Sequence, residues 1–241
     1  LLGVFEGSKN WDRSVSAKLA RKITDEAMHR LDRGEAIVVP MPSPLAYCVV
    51  ATTPEAINEA KGRPRNQEVA SWILDANQIL DDVEVDPREA KLLPWLLHDE
   101  GLTVLLSPRD DQPIPCHWRP SYRDGRVLLF GIRWRHLEGW MTTCKRPLYV
   151  SSANRTGMPS AVTASEVRAQ MPSGIFIVDG DELRDPERKH GSTTMVLFGN
   201  GALQVVRHGV HDEAFEATQE WVADLLVRAS DCVRAGECVR S

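Results

Sequence analysis

Apolar and charged residues alternate at helical spacing in several segments of the chain. Between Ser14 and Arg33, apolar residues recur every three or four positions with charged residues between them, which predicts an amphipathic helix. Pro54 is typical of the first turn of a helix, and Thr163 with Glu166 three positions on forms a capping-box sequence. On these patterns we predict further helices at 54–60, 69–80, 136–143, 163–171 and 213–228.

Short runs of β-branched and other apolar residues lie between these helices and predict buried strands. A Gly199-Asn200-Gly201 sequence between the last two runs indicates a β-hairpin. Because strands alternate with helices, the pattern favours an α/β protein with one layered sheet, which the hairpin makes mixed. The predicted strands are 36–39, 45–51, 102–106, 127–132, 148–151, 175–178, 194–198 and 202–207.

The length of 241 residues suits one domain, and no repeat or change of composition marks an internal boundary. We predict a helical segment at 1–35 that packs on the domain, and the domain itself at 36–229. The tail at 230–241 has little pattern, which is typical of a disordered segment.

Composition and charge narrow the function classes. The net charge of -5 and the pI near 5.8 argue against a protein that grips nucleic acid by its phosphates, although they allow a local basic cleft. The five cysteines show no C-x-x-C spacing, which predicts reduced thiols rather than a disulfide framework or a zinc site. Without a long apolar stretch or a signal peptide, we expect a cytoplasmic protein outside membranes.

Candidate chemistry begins at Lys61-Gly62-Arg63, after the helix predicted at 54–60. In a loop, residues two apart can point into the same cleft. A lysine and an arginine there suit a polyphosphate, because arginine offers a planar fork and lysine a point charge. The alternative is a solvated helix end, where cations offset the helix dipole. On its own the motif favours that alternative, since short motifs often occur by chance.

Three further sites carry small, hydroxyl or cationic side chains beside predicted strands. Residues 151–157 follow a strand, where open α/β sheets bind ligands, or they form a simple Asn-Gly type turn. Ser192 and Thr193 precede a strand and can bond phosphate oxygens, and Arg207 ends one. Taken alone, each of the last two sites is better explained as an ordinary loop or a local ion pair.

Several familiar catalytic motifs are absent from the sequence. There is no G-x-x-x-x-G-K-[ST] phosphate loop, no G-x-G-x-x-G dinucleotide turn, no H-E-x-x-H zinc motif and no G-x-S-x-G nucleophile elbow. His98-Asp99-Glu100 contains metal-binding residue types, but adjacent residues rarely converge on one ion, so we predict a surface position for them.

Taken in order, these motifs resemble those of the YrdC-like family, the threonylcarbamoyl-adenylate synthases. The chain has the family's K-x-R-P, S-T and R-x-G motifs, its S-A-N-x-S-G with threonine for the second serine, and half of its P-G-P-L-T. The resemblance extends from about residue 36 to 209 and describes a divergent member. The matching residues are Lys61, Arg63, Pro64, Gly101, Leu102, Thr103, Ser152, Ala153, Asn154, Thr156, Gly157, Ser192, Thr193, Arg207 and Gly209.

The resemblance implies a twisted, open, mixed and mostly parallel sheet flanked by helices, with a positively charged cavity. It also implies a nucleotidyltransferase that joins an amino acid, bicarbonate and ATP with magnesium and releases pyrophosphate, as in the threonylcarbamoyladenosine modification of tRNA. Such chemistry needs positioning and charge neutralisation more than a protein nucleophile. The resemblance assigns no protein ligand to the metal and makes Lys61 and Arg63 the catalytic, triphosphate-binding residues. The nucleotide would contact Lys61, Arg63, Thr103, Ser152, Asn154, Ser192 and Arg207.

Departures from the family lie at the amino-acid end of the expected site. The family's P-T-[DE]-T-V-Y-G becomes residues 40–46, which lose the acid and the aromatic residue and keep one hydroxyl, Ser43. The histidine of the family's P-L-x-x-H is replaced by Trp72. A polar pocket that loses hydrogen-bond partners rejects its former substrate, so threonine is in question. We expect Ser43 and Trp72 to bind the acceptor, and the Pro-rich loop together with Trp72 suits a bulkier or less polar one.

Two alternatives to a synthase stay open. A non-catalytic homologue would bind nucleotide or RNA in the cavity; the altered front motif favours it, and the acidic pI argues against its RNA form. A carbamoyl-transfer module of a secondary pathway would modify a small molecule by the same adenylate chemistry. Small molecules are the expected partners, nucleic acid is not favoured by the pI, and the sequence does not indicate an oligomeric state.

Overall fold

A computed structural model of the chain describes residues 24–134, 137 and 144–235, and the fold is given for these residues. The helices are α1 (24–32), α2 (Pro54–Ala60), α3 (Pro87–His98), α4 (Ala164–Gln170) and α5 (Thr218–Ala235). The strands are β1 (Ile37–Val39), β2 (Cys48–Ala51), β3 (Ala70–Trp72), β4 (Thr103–Leu106), β5 (Tyr122–Arg123), β6 (Arg126–Phe130), β7 (Leu148–Ser152), β8 (Phe176–Ile177), β9 (Met195–Gly199) and β10 (Ala202–Arg207).

The strands form one open sheet in the order β10-β9-β4-β6-β3-β7-β2-β1-β8, with β5 beside β6. The pairs β1–β8, β3–β6 and β4–β9 are parallel, and the other neighbours are antiparallel. The predicted α/β class and the mixed, open sheet with flanking helices are confirmed, although parallel pairs are the minority among the described strands. Tight turns such as that between β9 and β10 return the chain antiparallel.

Most of the helices cover one face of this sheet. On that face α3 and α5 pack against β4, β6 and β9, and α2 and α4 pack against β1, β2 and β7. Helix α1 packs on the other face through Ala27 and Leu31. Side chains alternate along each strand, so Val127 and Leu129 of β6 enter the core below α3 while Leu128 points to the opposite face. Among the described residues, α1 covers only part of the width of that opposite face, which leaves room for a site.

The segment 69–80 is not the predicted helix. Its first residues form β3, which is hydrogen-bonded between β6 and β7, and a single 3-10 turn follows at Ala76–Ile79. The prediction is wrong because pairing with two neighbouring strands outweighs a local helical spacing in so short a segment.

Helix α3 lies where none is predicted, although its start carries a clear signal. The Asp86 carboxylate accepts hydrogen bonds from the backbone N–H groups of Arg88 and Glu89, and the Glu89 carboxylate accepts one from the backbone N–H of Asp86. The helix buries its last residue, so the predicted surface position is wrong for His98. Its Nε2 accepts from Ala76 N, its Nδ1–H therefore donates to the Gly131 carbonyl, and burial lowers the pKa of His98.

The C-terminal helix extends further than predicted. Helix α5 starts at Thr218 and runs to Ala235, so residues 230–235 of the predicted tail are helical. The reason is that Trp221, Leu225, Ala229 and Cys232 continue one apolar stripe into the core. The expectation of reduced thiols is wrong at Cys232, which is disulfide-bonded, whereas Cys48, Cys116 and Cys144 are free.

Some predictions fall outside the described residues. These are the helix at 136–143, apart from residue 137, and the part of the first helix that precedes residue 24. Within the described part of the chain, no helix has both the length and the apolar character that a membrane span requires.

Candidate functional site

A cavity of about 330 Å3 opens on the face of the sheet opposite α2 to α5. Its floor is made by outward-pointing residues of the central strands, and its walls come from the connecting segments 63–69, 121–126 and 191–193. This volume lies within the range of small-molecule sites. The strand residues of the floor are Cys48, Ala70, Thr103, Leu105, Leu128, Phe130, Val150, Ser152 and Met195.

Lys61 locks two of the sequence motifs together beneath this cavity. Its side chain is buried, and its Nζ donates hydrogen bonds to the Ser152 carbonyl and, at 2.8 Å, to Asn154 Oδ1. The Ser152 hydroxyl donates to the same Asn154 oxygen at 2.6 Å. In the other direction, the Lys61 carbonyl accepts from the backbone N–H and the hydroxyl of Thr156, both at 3.2 Å. The K-x-R-P and S-A-N-x-T segments therefore form one unit.

The environment of Lys61 changes its acidity. Burial, together with the nearby charge of Arg63, lowers the pKa of Lys61 to about 7. Among the described residues its two hydrogen-bond acceptors are neutral, so no carboxylate offsets its charge. The ammonium group already donates to two protein oxygens, and a bound anion nearby would favour its charged form.

Arg63 is held at the edge of the cavity by a residue that the sequence does not single out. Its Nε donates to Asn58 Oδ1 at 2.6 Å, and its Nη2 donates to the Glu68 carbonyl at 3.3 Å. The buried Asn58 amide also donates to the carbonyls of Arg65 and Gln67, both at 2.8 Å. Asn58 thus shapes the whole loop. The only sequence signal for it is a polar residue beside an apolar one on the inner face of a short helix.

The S-T and R-x-G motifs meet at the opposite wall. Thr193 Oγ1 accepts from Thr103 N at 3.1 Å and donates to the Gly101 carbonyl at 2.9 Å. Arg207 Nη2 donates to the Thr193 carbonyl at 3.0 Å. A Cβ at Gly209 would collide with the backbone of residues 192–194, so only glycine allows these two segments to touch.

The predicted site residues divide into three groups. Five of them line the cavity, and Lys61 and Asn154 lie directly behind its wall, bonded to Ser152 or to each other. Ser43 and Trp72, the predicted acceptor residues, are not among the lining residues. The lining residues that were predicted are Arg63, Thr103, Ser152, Ser192 and Arg207.

Ser43 and Trp72 make their contacts away from the cavity lining. The Ser43 hydroxyl is hydrogen-bonded to His190 Nε2 at 2.9 Å and accepts from Asp185 N at 2.8 Å. Trp72 is buried edge-on against Phe130, with ring centroids 5.6 Å apart, and its indole N–H donates to the Ile132 carbonyl at 3.2 Å. In the family motif a histidine occupies the position of Trp72, so a core side chain replaces a polar one.

Two cavity arginines, Arg123 and Arg126, were missed because they lie in a stretch that reads as a surface loop and the start of a strand. With Arg63 and Arg207 they make four arginines on the wall. Among the described lining residues the only acid is Glu68. The cavity is therefore strongly cationic in a chain whose net charge is -5.

The sequence of the chain matches a known protein family. The Sua5/YciO/YrdC family model, described as "Telomere recombination", matches residues 29–209. The chain belongs to the Sua5/YciO/YrdC family. No curated protein sequence matches it. The confirmed membership explains why motifs far apart in the sequence converge on one cavity.

Solved structures share the fold of this family member. P. abyssi Sua5 complexed with L-threonine has a TM-score of 0.58 and 22% identity, and the match covers 79% of this chain and 54% of that one. E. coli YciO has a TM-score of 0.58 and 16% identity, covering 79% and 90%. HypF in a phosphate- and nucleotide-bound form has a TM-score of 0.56 and 15% identity, covering 78% and 24%. The chain thus spans about half the length of P. abyssi Sua5.

The residues present fit a nucleotide better than a protein-bound metal. No cluster of three or more His, Cys, Asp or Glu side chains is placed to hold a metal ion within the described residues. Glu68, the acid on the wall, is paired with Arg123 at 3.3 Å. Magnesium would therefore be held mainly by the phosphate oxygens of a nucleotide, as is usual for this ion.

Proposed function

We propose that this protein is a nucleotidyltransferase that makes a carbamoyl-adenylate, threonylcarbamoyl-AMP or an analogue, from an amino acid, bicarbonate and ATP. The observation that carries the proposal is the convergence of Lys61, Arg63, Ser152, Asn154 and Arg207 around one cationic cavity. Membership of the Sua5/YciO/YrdC family supports it.

The proposed reaction is the one that the family resemblance implies, and the cationic cavity is compatible with it. The amine adds to bicarbonate and loses water, giving an N-carboxylate. A carboxylate oxygen then attacks the α-phosphorus of ATP, and the bond to the β-phosphate oxygen breaks with release of pyrophosphate. Lys61 and Arg63 would hold the triphosphate and neutralise the charge that builds up on the departing pyrophosphate. No protein nucleophile is required.

The opposite wall would bind the remainder of the nucleotide. Thr103, Ser192 and Arg207 supply hydroxyl and guanidinium groups there, at a segment whose backbone is fixed by Thr193 and Gly209. The HypF relative is described in a nucleotide-bound form, which is in keeping with a nucleotide at this cavity.

We propose an amino acid or another amine as the acceptor, without restricting it to threonine. P. abyssi Sua5 is described in complex with L-threonine, which supports an amino acid and a place in tRNA modification. In this chain, however, Trp72 stands where the family has histidine, and the Ser43 hydroxyl is bonded to His190 and Asp185. The same observation favours, as a second candidate, a homologue that binds nucleotide without catalysis or serves carbamoyl transfer to another small molecule.

Pyrophosphate release tests the site assignment. We expect Lys61→Ala and Arg63→Ala each to lower the bicarbonate- and amine-dependent rate at least about 100-fold, because each removes a charge-assisted contact to the transition state. Lys91→Ala and Arg88→Ala are matched controls, since both residues are exposed on α3, away from the cavity. Wild-type turnover in both site variants would show that the site is assigned wrongly.

A further inference from the structure

The hairpin of β5 and β6 carries two arginines to the rim of the cavity. Arg123 and Arg126 are directly opposite each other across the two strands. The turn between them is Asp124-Gly125, with φ of 51° and 78°, the left-handed pair that a two-residue hairpin needs. Because directly opposite residues of an antiparallel pair point to the same face, both guanidinium groups belong to the cavity side, where both line the wall.

This arrangement is unfavourable by itself. Like charges directly opposite each other destabilise a strand pair. Arg123 has weak, exposed pairings with Glu68 and Asp124, both at 3.3 Å. Within the described part of the chain, no group pairs with the guanidinium of Arg126. The tight turn thus holds two arginines together at the rim with little charge compensation from the described protein groups.

Glu68 connects this pair to the site already described. Arg63 donates to the backbone carbonyl of Glu68, and Arg123 donates to its side-chain carboxylate, each at 3.3 Å. Arg63 and Arg123 therefore both contact Glu68, and Arg126 lies opposite Arg123 on the same wall. Four arginines face one glutamate on the cavity wall, so a single carboxylate ligand would leave most of the positive charge uncompensated. A polyphosphate matches it better, since it offers several oxygens to planar arginine forks.

We infer that Arg123 and Arg126, together with Arg63, form a subsite for the two terminal phosphates of ATP and for the pyrophosphate that leaves. The inference rests on the proposed function in placing the triphosphate at Arg63. It adds two binding residues that no sequence motif assigns. Glu68 moderates the subsite, because its carboxylate competes with the phosphates for Arg123.

Calorimetric titration of the full chain with inorganic pyrophosphate, ATP and AMP tests this subsite. We expect Arg123→Gln and Arg126→Gln each to weaken pyrophosphate and ATP binding about tenfold and to leave AMP binding unchanged, because AMP lacks the terminal phosphates. Glu68→Gln should strengthen pyrophosphate binding, since it frees Arg123. Arg88→Gln, with the same loss of charge on an exposed helix position, should match the wild type.

Three results would overturn the inference. They are wild-type pyrophosphate affinity in both arginine variants, equal losses of affinity for ATP and AMP, and a wild-type protein that binds ATP but not pyrophosphate. Thermal unfolding checks that the variants are folded, and we expect no loss of stability in the two arginine variants, because each removes a like-charge neighbour. If ATP binds and pyrophosphate does not, the subsite fails and the proposed function stands; if the wild type binds no ATP, the proposed function fails.

Discussion

At the scale of single residues, Lys61 is the most informative side chain. The sequence predicted a cation near a polyphosphate, but the alternative of a solvated helix end was favoured by the motif alone. The structure removes that alternative, because Lys61 is buried and bonded to Ser152 and Asn154. Burial is a property of the assembled fold, so no local pattern could have indicated it. Its consequence is a lysine whose pKa is lowered to about 7.

This lowered pKa predicts a pH dependence of ATP binding. Below about pH 7 the free lysine is already charged, and above it the lysine is mostly neutral and must take up a proton when the triphosphate binds. Affinity should therefore fall as the pH rises above about 7. Calorimetry at about pH 8 in two buffers of different ionisation enthalpy should show proton uptake, and Lys61→Arg should abolish it because arginine stays charged. Binding without proton uptake by the wild type would contradict this assignment.

At the scale of elements, the sequence predicts best where local signals and tertiary pairing agree. Strands β1, β4 and β9, the hairpin of β9 and β10, and helix α2 lie close to their predicted positions. Strand β3 was mistaken for a helix because only its two neighbours make it a strand. The loop after α2 was predicted as a ligand site, yet the residue that shapes it, Asn58, is visible only through its contacts.

We expect Asn58 to support both the stability of the protein and its affinity for ATP. Asn58→Ala removes three hydrogen bonds, including one to the charged Arg63, and leaves the carbonyls of Arg65 and Gln67 without this donor. We expect the free energy of unfolding to fall by about 2–4 kcal/mol. ATP affinity should fall as well, because Arg63 loses its orientation. Urea denaturation and ATP titration measure the two effects. Asn77→Ala, at an exposed asparagine, is the control, and an Asn58 variant as stable as that control would refute the role.

At the scale of the whole molecule, the fold explains how an acidic chain supports anion chemistry. The described helices lie mostly on one face of the sheet, and the cavity on the other face collects arginines from segments far apart in the sequence. Net charge could not reveal this, since it averages over the surface. The motif order was sufficient to predict the family. The positions of Ser43 and Trp72 were not predictable, because a substituted residue can either line a pocket or pack into the core.

Mass spectrometry of the reaction products shows whether the chain makes a carbamoyl-adenylate. The protein is incubated with ATP, magnesium, isotopically labelled bicarbonate and a panel of amino acids that includes threonine. We expect an adenylate that carries both the label and one of the amines, with an equal amount of pyrophosphate. If ATP binds but no labelled adenylate forms with any amine, the proposed synthase activity is contradicted and the protein is a homologue that binds nucleotide without catalysis.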